Sequence, residues 1–526
     1  MRKVNLLDCT LRDGGYCNNW DFGESAISQI IQGLENSRVD FIECGYLKKQ
    51  LERKTGSTLY STIAEFEKPL VNRSISKSKY VCMVNFGEFD IDDIPAHYDS
   101  TIDGIRVAFH KKDMQQAIFY CEKLKEKGYL VFLQPMVILD YSVDELKKLI
   151  DLTNNTNIDT FYIVDSFGAM DIDKLNKIHT LVNEQLRNDI ELGFHGHNNL
   201  QMSYANAQEF LKICVDRDVI VDSCIFGMGR GAGNLSTELF EEYLNNKYDK
   251  DYMITPILNI YDQVLEKFYL KRSWGYSLPN YLSARHNSHP NYAQYWSAKN
   301  TLSVSDINRL FEKLDDIRKN SFDKEYAEKM YKEYMERNTA KNGNLTEFNK
   351  QIARRSVMIV ASGTSSKIEK DKIIQTIQEN QCIVISINRE YPYYISDYIF
   401  TSNLRRFENL EKRFYKKTIT TSNIETKDVY ATIDYGEYLN SHEAVEDNAV
   451  LMVTKYLTNT EVDRIYIAGV DGFSHNVEDN YADSDMIIKT SNEIFDKRNI
   501  GLQDCLTELK MLKDIRMVTT SKYIQI

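Results

Sequence analysis

Short apolar runs alternate with longer stretches of helical periodicity through the first half of the chain. Apolar runs of about four to eight residues, bounded by turn residues, are typical of strands buried in a parallel sheet. Between them, apolar positions recur every three or four residues, for example over 24–37 and 143–153, which predicts amphipathic helices. Eight such strands are predicted, at 4–8, 39–44, 80–84, 104–108, 129–134, 160–164, 190–197 and 219–226.

Eight strand–helix units within about 240 residues predict a (β/α)8 TIM barrel, because this is the usual size of that fold. A doubly wound open sheet is the alternative. That fold more often carries a Gly-rich turn after its first strand, and no GxGxxG motif follows residues 4–8. We therefore predict an α/β barrel domain at 1–240. The helical pattern that comes next predicts a helical extension and linker at 241–345.

A second strand–helix pattern begins after residue 351. A predicted strand at 357–361 is followed by a turn of small residues and then by a helix that reaches about residue 379. A strand, a small-residue turn and a helix N-terminus form an anion-binding geometry, so the candidate anion loop is Ser362, Gly363, Thr364 and Ser365. We predict a smaller Rossmann-like α/β domain at 351–526, with further strands at 382–387, 398–401, 429–432 and 464–468.

The composition excludes some classes of partner. With 65 basic and 77 acidic residues the net charge is −12, which disfavours broad attraction to nucleic acid or to an anionic membrane. No apolar run approaches the ~18 residues of a membrane span, and no apolar signal segment precedes the strand at 4–8. The nine cysteines are scattered without a CxxC pair, as expected of buried thiols in a reducing compartment. We therefore expect a cytoplasmic protein.

Residues capable of metal and oxyanion chemistry lie where the predicted strands end. His195 and His197 are two positions apart on a strand, so their imidazoles face the same side. Arg12 and Asp13 follow the first strand; a carboxylate binds cations, and a guanidinium holds a carboxylate or an enolate oxygen. In a TIM barrel these strand ends form the active site. The alternatives, a structural histidine pair and an ordinary surface ion pair, remain open at this point.

A glycine-rich loop, GMGRGAGN, follows the eighth predicted strand at 227–234. Glycine lets the backbone approach a ligand closely, and loops at this place in a TIM barrel commonly bind phosphate or cover the substrate. Gly229 and Gly231, with Arg106 at the end of the fourth predicted strand, are therefore candidate substrate-binding residues. Asn234 offers a neutral oxygen to a metal. A flexible turn without a ligand is the alternative for this loop.

The motifs LDCTLRDGG, FHGHNNLQMSYAN and GMGRGAGN occur in this order and resemble those of the DRE-TIM metallolyase superfamily. The resemblance is greatest to its 4-hydroxy-2-oxovalerate aldolases and covers about residues 1–320. It implies that Asp13, His195 and His197 bind Mn²⁺ or Mg²⁺, with Asn234 close to the metal, and that Arg12 holds a 2-oxo acid. It also implies a class II aldolase, a carbon–carbon lyase that makes or cleaves a 4-hydroxy-2-oxo acid through a pyruvate enolate.

One position departs from the family pattern. The aldolases have a histidine, thought to be the general base, three residues after the metal-binding aspartate, and this chain has Tyr16 there. A phenol has an ordinary pKa near ~10 and is a poorer base at neutral pH. Tyr16, His110 and His286 are the candidates for proton transfer, and Tyr281 or Tyr276 lies near the family's C-terminal catalytic tyrosine.

Two rival functions fit the same barrel: an acetyl-CoA-dependent Claisen-type acyltransferase acting on a 2-oxo acid, and a non-catalytic scaffold. Tyr16 favours the scaffold, whereas retention of every metal-ligand type favours an enzyme. The expected partners are a small 2-oxo acid and an aldehyde, bound by a homo-oligomer. The second domain is loosely similar to Rossmann-like domains of glycan-related bacterial proteins, which implies a nucleotide or sugar ligand; a silent domain that docks a partner enzyme is the alternative.

Overall fold

The computed structural model describes residues 2–49, 54–67, 69–70, 76–336, 344–488 and 490–525. The chain divides into two compact units, one formed by Met1–Ala293 with Asp315–Phe322 and the other by Gln294–Leu314 with Asp323–Ile526. Residues 337–343 of the predicted helical extension and linker lie outside the described residues. No described helix combines the length and the apolar character that crossing a bilayer requires.

The first unit contains a closed barrel of eight parallel strands surrounded by helices, which confirms the predicted TIM barrel. The strands are β1 (Val4–Asp8), β2 (Phe41–Leu47), β3 (Lys79–Asn85), β4 (Gly104–Phe109), β5 (Leu130–Pro135), β6 (Thr160–Asp165), β7 (Glu191–Gly196) and β8 (Val219–Ser223). Strand β1 closes the barrel, because it pairs with both β2 and β8. A two-residue strand, Leu59–Tyr60, also pairs with β2.

Side chains on the barrel strands alternate between the barrel interior and the surrounding helices, since successive residues of a strand point to opposite faces. Leu7, Phe41, Phe132 and Ile220 belong to an apolar cluster inside the barrel. Two positions further along β2 and β8, the interior side chains are the carboxylates of Glu43 and Asp222. The interior therefore changes from apolar to charged toward the carboxyl ends of the strands.

The helices of the first unit cover the barrel with their apolar faces. Ile27, Ile30 and Leu34 recur at helical spacing on one helix and are buried in the main core. That helix ends at Arg38, which is in the left-handed conformation with φ 70°.

The helices between residues 15 and 298 are α1 (Gly15–Asn18), α2 (Glu24–Ser37), α3 (Met114–Glu126), α4 (Val143–Asn154), α5 (Ile172–Gln185), α6 (Ser203–Ile213), α7 (Thr237–Tyr248), α8 (Ile254–Ile260), α9 (Glu266–Lys271), α10 (Leu278–Arg285) and α11 (Pro290–Ala298).

The second unit contains a parallel sheet of seven strands, so the predicted second α/β domain is confirmed. Its strands are β9 (Ser356–Val360), β10 (Ile383–Ile387), β11 (Tyr398–Thr401), β12 (Thr418–Thr421), β13 (Ala431–Ile433), β14 (Arg464–Ala468) and β15 (Ile515–Met517). Their order in the sheet is β13-β12-β11-β10-β9-β14-β15. The helices are α12 (Val304–Lys313), α13 (Lys324–Met335), α14 (Leu345–Ile352), α15 (Ser365–Ile368), α16 (Lys370–Asn380), α17 (Leu404–Glu408), α18 (Ala449–Thr458) and α19 (Asn492–Leu512).

Candidate metal centre at the mouth of the barrel

Three candidate metal ligands meet at the carboxyl end of the barrel. The Nε2 atoms of His195 and His197 lie 3.8 and 3.9 Å from Oδ2 of Asp13, and all three side chains are buried. One ligand atom from each residue lies within 4.8 Å of the other two. The histidines share a face because they are two positions apart, while a backbone hydrogen bond from Asp13 to Cys9, 2.8 Å long, holds the aspartate in the turn after β1.

Asp222 on β8 orients His195. Its carboxylate accepts a hydrogen bond from Nδ1 of His195 at 2.9 Å, so the proton sits on Nδ1 and Nε2 faces Asp13. The same carboxylate accepts from the Tyr162 hydroxyl at 3.0 Å and from the Arg106 guanidinium. A carboxylate behind a ligating histidine fixes the ring and raises its basicity.

Glu43 on β2 connects Arg12 to Arg106. Oε2 of Glu43 accepts from Nε of Arg12 at 2.8 Å and from Nη1 of Arg106 at 2.7 Å. Arg12 also donates to Asp13. The buried charges thus form a continuous series from Asp13 through Arg12, Glu43 and Arg106 to Asp222.

The donor set fits a divalent cation. The three carboxylates of this series outnumber its two guanidinium groups, so buried negative charge compensates a bound cation once His195 is neutral. Oδ1 of Asn234 and Oε1 of Glu43 are buried and accept no hydrogen bond from the described residues. Two imidazoles and one carboxylate are ligands that suit several first-row divalent metals.

The electrostatic surroundings give the three residues different protonation. Burial alone would raise the pKa of Asp13, but Arg12 and the two histidines outweigh it and hold the pKa well below its usual range. Burial lowers the pKa of His197 to about 3, despite the opposing charge of Asp13. Burial also acts to lower the pKa of His195, but the hydrogen bond to Asp222 raises it to about 9. At neutral pH Asp13 is therefore ionised and His197 neutral, as metal ligation requires, whereas His195 holds a proton that it must release to bind a metal.

The glycine-rich loop lies against this cluster. A Cβ on Gly229 would lie 2.0 Å from Nδ2 of Asn234 and 2.9 Å from Oδ1 of Asp13. Gly231 has φ +67°, and a Cβ there would lie 2.7 Å from Oδ1 of Asn199. Asn234 itself donates to Oδ1 of Asp13 at 3.0 Å. The lack of a side chain at Gly229 thus lets the loop approach Asn234 and Asp13 closely, and Gly231 allows the left-handed backbone beside Asn199.

Arg230 and His289 lie at the rim of the same site. Arg230 donates to Nε2 of His289 at 3.1 Å and to the Ser166 carbonyl at 2.9 Å, and its guanidinium lies 5.2 Å from the centroid of the Tyr16 ring. Burial, reinforced by the charge of Arg230, lowers the pKa of His289 well below its usual value, so this imidazole is neutral. Tyr16 is half-buried and packs its edge against Trp20.

The structure brings together some predicted site residues but not others. Asp13, His195, His197, Asn234 and Arg12 meet directly, with Gly229 close by. Arg106 is fully buried and bonded to two carboxylates. Tyr281 lies on α10 and makes no hydrogen bond to the described side chains of the cluster.

Sequence reasoning did not assign roles to Glu43, Asp222 and His289. Glu43 and Asp222 interrupt otherwise apolar strands, and this was a readable signal, because a buried carboxylate needs a partner. His289 lies in the motif RHNSHP after the barrel strands, with no pattern that links it to Arg230.

The candidate anion loop of the second unit is engaged by a side chain of the chain itself. The Asp471 carboxylate accepts from the Ser365 backbone at 2.8 Å, from the Thr364 hydroxyl at 2.9 Å and from the Ser365 hydroxyl. The Ser362 hydroxyl pairs with that of Tyr391 at 2.6 Å. Gly363 donates to the Gly469 carbonyl at 2.9 Å. The loop therefore binds a carboxylate, and that carboxylate is internal.

A closed parallel barrel with two histidines and an aspartate at its mouth, which could hold a divalent cation, fits an enzyme of the DRE-TIM type. Residues 3–264 match the HMGL-like family model, and this part of the chain belongs to that family.

Curated relatives and a solved structure agree with this. The chain is 29% identical over 257 residues to a 4-hydroxy-2-oxovalerate aldolase of Chloroflexus aggregans (strain MD-66 / DSM 9485), covering 47% of this chain and 70% of that protein. It is 25% identical over 242 residues to an oxaloacetate decarboxylase of Mycobacterium tuberculosis (strain ATCC 25618 / H37Rv), covering 45% and 68%. A Bacteroides vulgatus N-terminal domain that carries an aldolase assignment is 29% identical, with a TM-score of 0.51, covering 58% of this chain and 99% of that one.

Proposed function

We propose that the chain is a class II, divalent-metal-dependent aldolase, a carbon–carbon lyase that makes or cleaves a 4-hydroxy-2-oxo acid with pyruvate as donor or product. The observation that carries the proposal is the convergence of Asp13, His195 and His197 beside Arg12. The aldolase relatives support it. Mn²⁺ or Mg²⁺ is the proposed metal, on the resemblance of the ligand motifs.

Asp13, His195 and His197 would hold the cation, with the unpaired amide oxygen of Asn234 as a further ligand. A divalent cation there supplies positive charge that stabilises an enolate oxygen. Arg12 adds a second positive charge. Its Nε and Nη1 are fixed by Glu43 and Asp13, and its Nη2 donates to none of the described residues, which leaves that donor for a substrate oxygen.

Arg106 is proposed to position the site instead of contacting substrate. Sequence analysis expects it to bind substrate, but the side chain has no exposed surface and both ends of its guanidinium bond to Glu43 and Asp222. Through these carboxylates it fixes Arg12 on one side and His195 on the other. Arg230 is the cation at the rim and is the better candidate for the distal substrate carboxylate.

Tyr16 is the proposed proton carrier, because its ring lies under Arg230 at the mouth of the barrel. Neutral His289, bonded to the other side of Arg230, is the second candidate. Replacing each residue in turn distinguishes the two candidates. Loss of proton transfer in Tyr16→Phe but not in His289→Asn assigns the role to Tyr16, and the opposite result assigns it to His289.

The test is exchange of the pyruvate methyl protons for deuterium, followed by NMR with Mn²⁺ or Mg²⁺ and again with chelator. Exchange requires the enolate but no aldehyde. We expect metal-dependent exchange that disappears in His195→Ala, His197→Ala and Arg12→Ala. His179→Gln is the matched control, since His179 is a buried histidine on α5 outside the cluster.

The outcomes separate the rival functions. Exchange that persists with chelator, or in His195→Ala and His197→Ala, contradicts the proposal. Coenzyme A release from acetyl-CoA with a 2-oxo acid, without pyruvate exchange, indicates the Claisen-type acyltransferase. If the protein binds no divalent metal, the result indicates the non-catalytic scaffold. Oxaloacetate is included as a substrate because a decarboxylase is among the relatives and forms the same enolate.

A further inference from the structure

The second unit has a cavity at the point where its strand order reverses. Strand β9 lies inside the sheet, with β10 to β13 added on one side and β14 and β15 on the other, so the reversal falls between β9 and β14. In open parallel sheets, ligands bind at this point, outside the carboxyl ends of the strands. A cavity of about 170 Å³ lies there, and residues that follow β9, β10, β11 and β14 line it, among them Ser362, Asn388, Asn403 and Asp471.

Two guanidinium groups from different helices line this cavity. Arg406 on α17 is 8% exposed, and the Asp485 and Met486 carbonyls hold it. Arg498 on α19 lies 5.7 Å from the centroid of the Phe473 ring. Among the described residues, no carboxylate lies within ion-pair distance of either group. Arg406 is a buried cation, which is costly without an anionic partner, and half-buried Arg498 adds a second positive charge to the same cavity, so this arrangement favours an anion.

The positive charges of Arg406 and Arg498 affect the same part of the cavity. Arg406, Arg498 and Tyr481 all line the cavity. Burial raises the pKa of Tyr481, and the charges of both arginines oppose that rise. Burial also lowers the pKa of Arg406, as expected of a cation whose charge is not neutralised. The loop after β9 cannot serve instead, because Asp471 already takes its Thr364 and Ser365 donors.

The rest of the lining suits a ligand with hydroxyl groups. Asp447 and Asn388 line the cavity, although Oδ2 of Asp447 accepts from Thr301 and Oδ1 of Asn388 accepts from Thr401. Phe473, which stacks on Phe495 with centroids 5.4 Å apart, also lines it. Carboxylate and amide oxygens accept hydrogen bonds from sugar hydroxyls. An aromatic ring beside an arginine is also a surface on which a base or sugar ring packs.

We propose that this cavity is a binding site for a phosphate ester of a hydroxyl-rich small molecule, a nucleotide or a sugar phosphate, with Arg406 and Arg498 holding the phosphate. The proposal is independent of the function proposed for the barrel. In this proposal the two arginines bind the phosphate, and the small-residue loop after β9 does not.

The test is isothermal titration of the full chain with adenosine 5′-monophosphate, uridine 5′-monophosphate, ribose 5-phosphate and glucose 1-phosphate. Adenosine, uridine, ribose and glucose are the phosphate-free counterparts, and chelator is present to exclude the barrel metal. We expect at least one phosphate ester to bind one-to-one and at least tenfold more tightly than its counterpart. A nucleotide preference over ribose 5-phosphate identifies the nucleotide source; equal binding or a preference for glucose 1-phosphate identifies the sugar phosphate.

Arg498→Gln should weaken this binding at least tenfold, because a charge-assisted pair to phosphate is lost. Arg406→Gln should do the same, and thermal unfolding checks that it folds. Arg405→Gln is the matched control, since Arg405 is exposed and adjacent on α17. The proposal is overturned if no phosphate ester binds at about 1 mM, if the phosphate-free counterparts bind equally, or if Arg498→Gln binds like the unaltered chain.

Discussion

Replacement of Asp222 by Asn tests the metal centre most directly, because the change removes one charge and keeps the shape. The carboxylate bonds to Nδ1 of His195, to the Tyr162 hydroxyl and to Arg106. Loss of a carboxylate behind a ligating histidine costs about 10–100-fold in metal affinity, or ~1.4–2.8 kcal/mol. Arg106 keeps Glu43 as a partner, so the stability lost should stay below the ~3–5 kcal/mol of a fully unpaired buried charge.

The assay is competition for Mn²⁺ between the protein and a chromogenic chelator, with urea unfolding of metal-free protein measured in parallel. Asp165→Asn is the matched control: Asp165 is also buried at a strand end, but it accepts from the Ala169 and Met170 backbone. We expect both variants to lose stability and only Asp222→Asn to lose metal affinity. Unchanged affinity in Asp222→Asn, or an equal loss in both variants, would refute the reasoning.

Three further predictions concern the loop, a buried acid and the proton carrier. Gly229→Ala should lower Mn²⁺ affinity at least tenfold in the same competition assay, because its Cβ would lie 2.0 Å from Asn234, whereas Gly436→Ala should not. Burial raises the pKa of Glu241 to about 8, so urea-measured stability should fall as pH rises from ~4.3 to 8, by up to ~1.4 kcal/mol per unit, and Glu241→Gln should remove that decline. Tyr16→Phe should slow pyruvate proton exchange about 10²–10⁴-fold and leave metal affinity unchanged.

Each of these has a contrary result. Normal metal affinity in Gly229→Ala shows that the loop is not required at the cluster. The sign for Glu241 follows from the folded chain holding a proton that the unfolded chain releases; stability that rises over the same pH range contradicts it. Full exchange activity in Tyr16→Phe moves the proton transfer to His289 or another group.

The barrel and the ligand cluster could be predicted because their signals are local. An apolar run is visible in a few residues, and the two histidines need only the alternation of a strand to share a face. Arg12 and Asp13 stand directly after the first strand. The sequence does not reveal which side chains surround Arg106. Its position at a strand end predicts contact with substrate, but in the barrel it lies between carboxylates from β2 and β8.

Prediction from the sequence is also incomplete for the second unit. Strand β12 reads Thr-Ile-Thr-Thr and β15 reads Ile-Arg-Met, so neither carries an apolar run long enough to predict a strand. The small residues after β9 predict an anion loop from their pattern alone. The acid that fills it, Asp471, lies more than 100 residues later and reaches the loop only through the pairing of β9 with β14.

The series of charges from Asp13 to Asp222 restricts how the barrel can vary. Loss of Glu43 takes one of the two carboxylate partners from both Arg12 and Arg106, and loss of Arg106 leaves Glu43 and Asp222 without their shared partner. For folding stability, each single replacement within Glu43, Arg106 and Asp222 is therefore expected to cost more than their joint replacement by apolar residues of similar volume. These positions are expected to change together or not at all, and a change of substrate in this barrel is more accessible through the loops at its rim than through its charged interior.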